Sequence, residues 1–203
     1  RERLICRGPS HRKQFMSDPL PESPLESSPG RRVLHEGRVF DLVELTLESE
    51  GGARWATDVV EHPGAVAIVV RDGASRLLVV EQERPAVGGA TLEVPAGRLE
   101  PGEDPADAAL RELEEETGLR AARVELLRTI WPAPGFCSEE VHLFEAHDAI
   151  PAGEDRLAPD EDEDLLVRWL DPHEILEQRP ADAKTLLAAL HVLGAPIRQQ
   201  PTR

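Results

Sequence analysis

Apolar and polar positions along this chain repeat with two different periods. From Val33 to Glu48 they alternate around Gly37, and Gly51-Gly52 supplies a turn before Ala53–Glu61. Period-two alternation cut by glycine turns predicts a meander of antiparallel strands. Ala65–Val70 and Leu77–Glu81 are continuous apolar runs separated by Asp72-Gly73-Ala74-Ser75, which predicts a hairpin. Leu92–Val94, Val124–Thr129, His142–Ala146 and Leu165–Trp169 are further strand candidates. Asp104 to Thr117 changes to helical spacing, with Asp104 at the N-cap, Pro105 at the first helical position and Gly118 just past the end. Pro172–Gln178 and Asp182–Leu193 also read as helices, the second with apolar residues 186, 187, 190 and 193 on one face. Strands interleaved with a few helices, mostly in hairpin order, predict an α/β domain with a mixed sheet.

Composition narrows the core and the partners. Three Trp, four Phe and no Tyr leave the core to Leu, Val, Ile and Ala. The net charge is −16, and since residues 1–15 carry five Lys/Arg and one acid, the acidity lies in the rest of the chain. Such a balance repels nucleic acid and anionic membranes, so neither is expected as a partner. A protein this acidic needs metal ions to handle phosphates. No apolar run reaches the roughly 18 residues of a membrane span, and Leu4-Ile5-Cys6 is too short for the core of a secretory signal. Two cysteines, Cys6 and Cys137, make no disulfide framework, which points to the cytoplasm. Residues 1–32 read as a leader of disordered composition, with Met16 as the expected natural start and 1–15 as upstream sequence. A single domain is expected over 33–195, with 196–203 as a tail.

The chemistry concentrates in Gly97–Leu119, GRLEPGEDPADAALRELEEETGL. Glu112, Glu115 and Glu116 stand at i, i+3 and i+4, so their carboxylates project from one helical face. Like charges so close destabilise a helix, and they lie near its C-terminus, the unfavourable end of the dipole for anions. Arg111 can pair with Glu115 one turn on, and a hard divalent cation suits the remaining carboxylate oxygens. Taken alone, an ELEEE string is most often a solvated acidic face.

The wider pattern decides otherwise. Gly97, Glu103, Arg111, Glu112, Leu113, Glu115, Glu116, Gly118 and Leu119 match the box Gly-x5-Glu-x7-Arg-Glu-aliphatic-x-Glu-Glu-x-Gly-aliphatic at every defined position. The chain thus resembles the Nudix hydrolases. Its flanks, VVEQERPAVGGATLEVPAGRLE before the box and WPAPGFCSEEVHLFEA after it, are similar to the ADP-ribose pyrophosphatase branch, including a proline, Pro134, fifteen residues beyond Leu119. The resemblance runs from about Val33 to Leu193. It implies an α/β/α sandwich with mixed sheet and an N-terminal antiparallel strand extension. It also implies two to three Mg²⁺ (or Mn²⁺) per site, and a homodimer in which N-terminal strands help build the partner's nucleotide site.

By the same resemblance Glu112, Glu116 and the Ala96 carbonyl are metal ligands, and Glu115 ligates a second ion or holds its water. Gly97, Glu103, Arg111 and Gly118 support the box. Arg84 matches a phosphate-contacting position, and Gly135 belongs to the substrate-binding loop. Phe40 and Trp55 fall where the family stacks adenine, or are core residues. Glu93 supports the Pro95-Ala96-Gly97 turn or simply ends a strand. Glu139, with Glu140 next in line, matches the glutamate that acts as base or ligates the catalytic ions, with Glu115 and Glu116 sharing the catalytic work. Cys137, His142 and His147 read as loop or structural residues. Asp160–Asp164 reads as a solvated charge run. The branch usually carries a basic residue near Thr57; here the nearest, Arg54, lies three positions earlier. The implied reaction is hydrolysis of a nucleoside diphosphate linked to another moiety, ADP-ribose first, giving AMP and ribose 5-phosphate. Another nucleotide sugar, a dinucleoside polyphosphate or a non-catalytic nucleotide sensor are the alternatives.

Overall fold

The computed structural model describes residues 30–49, 51–154, 156–157, 165–195 and 197. Most of the leader, Cys6, Met16, the Asp160–Asp164 run and most of the tail lie outside the described residues. The chain begins as the alternation requires. Strands β1 (Arg31–Glu36), β2 (Asp41–Glu48) and β3 (Arg54–Glu61) form a three-stranded antiparallel meander. Its first strand starts two residues before the expected boundary at Val33.

The strands that follow build two larger sheets and one two-stranded pair. β4 (Ala65–Val69), β5 (Leu77–Arg84), β6 (Gly89–Glu93) and β7 (Ala96–Arg98) precede the helix α1 (Pro105–Thr117). After it come β8 (Leu119–Arg120), β9 (Arg123–Ile130), β10 (Val141–His147), β11 (Ile150–Pro151), β12 (Leu166–Leu170), α2 (Pro172–Leu176) and α3 (Ala183–Val192). A four-stranded mixed sheet runs in the order β7-β4-β10-β9, with β4 and β10 parallel, and a three-stranded antiparallel sheet runs β12-β5-β6.

The apolar run of β4 is buried throughout because the strand has a core on each side. Ala65, Ala67 and Val69 pack with Leu77, Val79, Leu143, Ile175, Ala188 and Ala189. The alternate residues Val66 and Ile68, followed by Val70, pack with Leu78, Ala108, Ala109, Leu113 and Phe144. Period-two side-chain alternation thus separates α1 on one face from α2 and α3 on the other, which is the expected α/β/α sandwich with the antiparallel extension at its N-terminus.

Two local expectations are corrected. Asp72–Ser75 does turn the chain, with the Asp72 carboxylate accepting the Ala74 and Arg76 N–H groups at 2.9 and 2.8 Å. The flanking strands nevertheless do not form a hairpin ladder. Beyond the bridge between Arg71 and Leu77, β4 enters one sheet and β5 another. Both edges of β4 are already taken, by β10 and β7, leaving none for β5.

The second correction concerns α3. Its buried residues are Thr185, Ala188 and Ala189, whereas Leu190 and Leu193 are exposed. Small side chains let the helix approach the sheet closely, and the Thr185 hydroxyl accepts the Val94 N–H at 2.8 Å. This contact turns Leu190 and Leu193 outward, while Leu186 and Leu187 of the predicted face stay half-buried and Leu187 packs on the core.

Candidate active site

The box folds as its punctuation dictates. Asp104 caps α1 by accepting the Ala106 N–H at 2.8 Å, and Gly118 closes it in the left-handed conformation at φ 68° with its N–H on the Glu114 carbonyl. Ahead of the helix, β7 carries Ala96 and Gly97 along the edge of β4. A β-carbon on Gly97 would collide with the Glu112 carboxyl, so only glycine lets that carboxylate lie against the β7 backbone.

Arg111 is the hub of the acidic face. Its Nε and Nη2 bond the two Glu103 carboxylate oxygens, each at 2.9 Å, while Nη1 reaches Glu112 at 2.7 Å and Glu115 at 2.9 Å. Nη2 also donates to the Arg98 carbonyl. These bonds, Glu103 first, raise the Arg111 pKa above its ordinary value, and Arg111 in turn holds the Glu103 carboxyl below its own. Glu116 is buried and accepts the Ala96 N–H at 3.0 Å, tying the helix to the loop. Glu114, the residue between the box positions, points the other way. It accepts a bidentate pair from Arg120 and the Leu157 N–H at 3.0 Å.

A cavity of about 600 Å³ opens beside this face. Glu112, Glu115, Arg111, Ala96 and Gly97 form part of its wall, and Arg84 and Glu139 join them from β5 and from the segment before β10. That segment is pinned rather than free. Val60 N–H donates to the Phe136 carbonyl, Ser138 N–H to the Val60 carbonyl, His62 N–H to Ser138 Oγ and Ala65 N–H to the Glu140 carbonyl, all within 2.8–2.9 Å. Glu140 faces His142 at 3.5 Å and does not line the cavity. Glu103, Glu116, Gly118, Gly135 and Phe40 also lie outside its wall, Phe40 being exposed just before β2. Trp55 is exposed on β3, and Arg54 pairs with Glu48 at 2.6 Å. His142 and His147 stand beside strand side chains, Thr129 and Glu125 respectively.

Sequence reading missed several wall residues. Arg38, His62, Gln82, Arg98, Asp182 and Lys184 come from segments scattered over the chain, and none belongs to a motif of its own. Burial lowers the His62 pKa, the charge of Glu139 opposes that shift and Arg98 adds to it, while Nδ1 accepts the Gly64 N–H. Glu93, undecided from sequence between loop support and a strand end, is a buried ionic anchor. Its carboxylate accepts Arg84 Nε and Nη2 at 2.7 and 2.8 Å, Thr91 Oγ1 at 2.6 Å, and the Lys184 ammonium. Burial opposes its ionisation, yet these partners, Arg84 first, hold the carboxyl far below the usual carboxylate range.

The donor set suits a hard divalent cation. The carboxylates of Glu112 and Glu115 and the backbone of Ala96 line the cavity, buried Glu116 is tied to them through the Ala96 N–H, and Gly97 leaves the room that the Glu112 oxygens need. Among the described residues no three such side chains already stand in ligating geometry. Arg111 bridges two of the carboxylates and Glu116 turns an oxygen to a backbone N–H.

Fold, box geometry and cavity together define a Nudix domain, and the NUDIX domain model matches residues 61–190; the chain belongs to this family. It is 35% identical over 167 residues to the ADP-ribose pyrophosphatase of Bacillus subtilis (strain 168), covering 80% of this chain and 90% of that protein. It is 38% identical over 163 residues to the methanol dehydrogenase activator of Bacillus methanolicus, covering 78% and 88% respectively. Among solved structures an ADP compounds hydrolase superposes with a TM-score of 0.68 at 24% identity, over 82% of this chain and 95% of that one, a likeness of fold.

Proposed function

We propose that this protein hydrolyses ADP-ribose at its diphosphate, giving AMP and ribose 5-phosphate, with Mg²⁺ or Mn²⁺ as cofactor. One observation carries the reading: the cavity has carboxylates of the box on one side and the cations Arg84 and Lys184 on another. A diphosphate needs both, metal-binding oxygens to receive its charge and N–H donors to fix its orientation. The similarity to the B. subtilis ADP-ribose pyrophosphatase supports the choice of substrate.

Glu112, Glu116 and the Ala96 carbonyl would hold the first ion, and Glu115 a second. When bound, these ions neutralise the phosphate oxygens and lower the pKa of an attacking water. Arg84 orients a phosphate through the guanidinium edge that Glu93 leaves open. Glu139 accepts the proton of the attacking water. The water oxygen forms a bond to one phosphorus, the bridging P–O bond breaks, and the bridging oxygen leaves on the other phosphate. Exposed Val33, Leu34, Phe40 and Trp55 on the meander support a homodimer built through that extension. Cysteine usage supports a cytoplasmic setting, and no described helix is long and apolar enough to cross a membrane.

The test is product analysis with ADP-ribose, with and without Mg²⁺. AMP appearing only with the metal is expected, together with a loss of orders of magnitude in kcat for Glu116→Gln. Cleavage of a different nucleotide sugar or polyphosphate in place of ADP-ribose would replace the substrate. Cleavage of nothing would overturn the reading.

A further inference from the structure

We infer that Lys184, in the first turn of α3, binds a phosphate oxygen of the substrate beside Arg84, and that Glu93 holds the two cations in position. The inference rests on the diphosphate reading above and deepens it.

Lys184 lies far from the box in sequence, yet it enters the same cavity wall as Glu112 and Glu115. Its side chain is only 15% exposed. The ammonium pairs with Glu93 and with Asp182 at 3.0 Å. An ammonium has three donors, and the third bonds none of the described residues. On Arg84, Nε and Nη2 are spent on Glu93 while Nη1 bonds none of them. Two N–H edges therefore remain available, one from each cation, on side chains whose other donors are fixed.

Three features set this arrangement apart from simple neutralisation of Glu93. Arg84 and Thr91 already give that carboxylate three hydrogen bonds. A lysine in the first turn also meets the positive end of the helix dipole, the less favourable place for a cation. Finally, the turn is locked by bonds that fix the lysine's backbone. Asp182 accepts both the N–H and the hydroxyl of Thr185 at 2.9 and 2.6 Å, and Thr185 receives the Val94 N–H next to the Pro95–Gly97 loop. A flexible ammonium is thereby held on a rigid base beside the metal-binding loop, the preorganisation that recognition of a charged group rewards.

The experiment is a double-mutant cycle read by calorimetry in Mg²⁺, using the α,β-methylene analogue of ADP-ribose, which cannot be cut at the diphosphate. Lys184→Gln should weaken binding at least about tenfold, the scale of one lost charged hydrogen bond. A smaller loss should persist in the Glu93→Gln background, where no carboxylate is left to neutralise and the ammonium is held by Asp182 alone. Lys184→Arg should recover part of the loss. No cost of Lys184→Gln in the Glu93→Gln background would show that Lys184 serves Glu93 alone and would overturn the inference. Wild-type protein that binds the analogue but leaves ADP-ribose uncut would overturn the hydrolase reading and not the role of the lysine. Wild-type protein that does not bind the analogue would overturn both.

Discussion

Gly97 and Glu112 are fitted to one another so closely that a β-carbon on the first would overlap the carboxyl of the second. The glycine at the head of the box is thus a space requirement of the carboxylate fifteen residues later. Gly97→Ala should push the Glu112 side chain away from β7 while leaving the buried faces of β4 and α1 in place. We expect a loss of metal affinity of about 10- to 100-fold, the usual cost of disturbing the support of a metal ligand. Mg²⁺ titration of activity beside a melting curve measures it, and unchanged Mg²⁺ dependence would remove the spatial argument.

Glu139 and Glu140 are neighbours with different surroundings. The first lines the cavity, while the second faces His142 and lends its carbonyl to the Ala65 N–H. Glu139→Gln should lower kcat by about 10²- to 10⁴-fold, the range for loss of a general base. Glu140→Gln should change it only a fewfold. Equal losses, or the reverse order, would move the base to Glu140.

Arg111 neutralises Glu112 and Glu115 with one nitrogen and Glu103 with two others. Arg111→Gln should lower Tm through the like-charge repulsion this releases. Mg²⁺ should restore part of that Tm, because a divalent cation compensates the same carboxylates. A variant whose loss of Tm is indifferent to Mg²⁺ would separate the arginine network from the metal site.

Glu114 offers a pH signature away from the cavity. Arg120 first, and then the Leu157 N–H, hold its carboxyl at about 2 against an ordinary 4.5. A carboxyl depressed in the folded state stabilises fully above its unfolded pKa and loses that contribution as pH falls toward the folded one. Tm of the wild type should therefore drop more steeply than that of Glu114→Gln between pH 4.5 and 3. Parallel curves would show that the pair with Arg120 is not coupled to folding.

The features of this protein whose causes are local can be read from the chain alone. The cap at Asp104, the left-handed close at Gly118, the i, i+3, i+4 carboxylates and the alternating meander each depend on neighbours within a few positions. All were legible, and with them the family. Which strand pairs with which was not, because the continuous apolar runs of β4 and β5 specify burial on both faces but no partner, and the turn between them looks the same in a hairpin as at a change of sheet. The face of α3 was misread at Leu190 and Leu193 for a related reason. Leucine spacing suggested one stripe, while the close approach allowed by Ala188 and Ala189 and the bond from Val94 to Thr185 set another. Only that packing brings Lys184 and Asp182 to the cavity and gives Glu93 its second cation beside Arg84, since its contacts join residues about ninety positions apart. Charge and hydrogen bonding act through space, and chain order does not record distances on that scale.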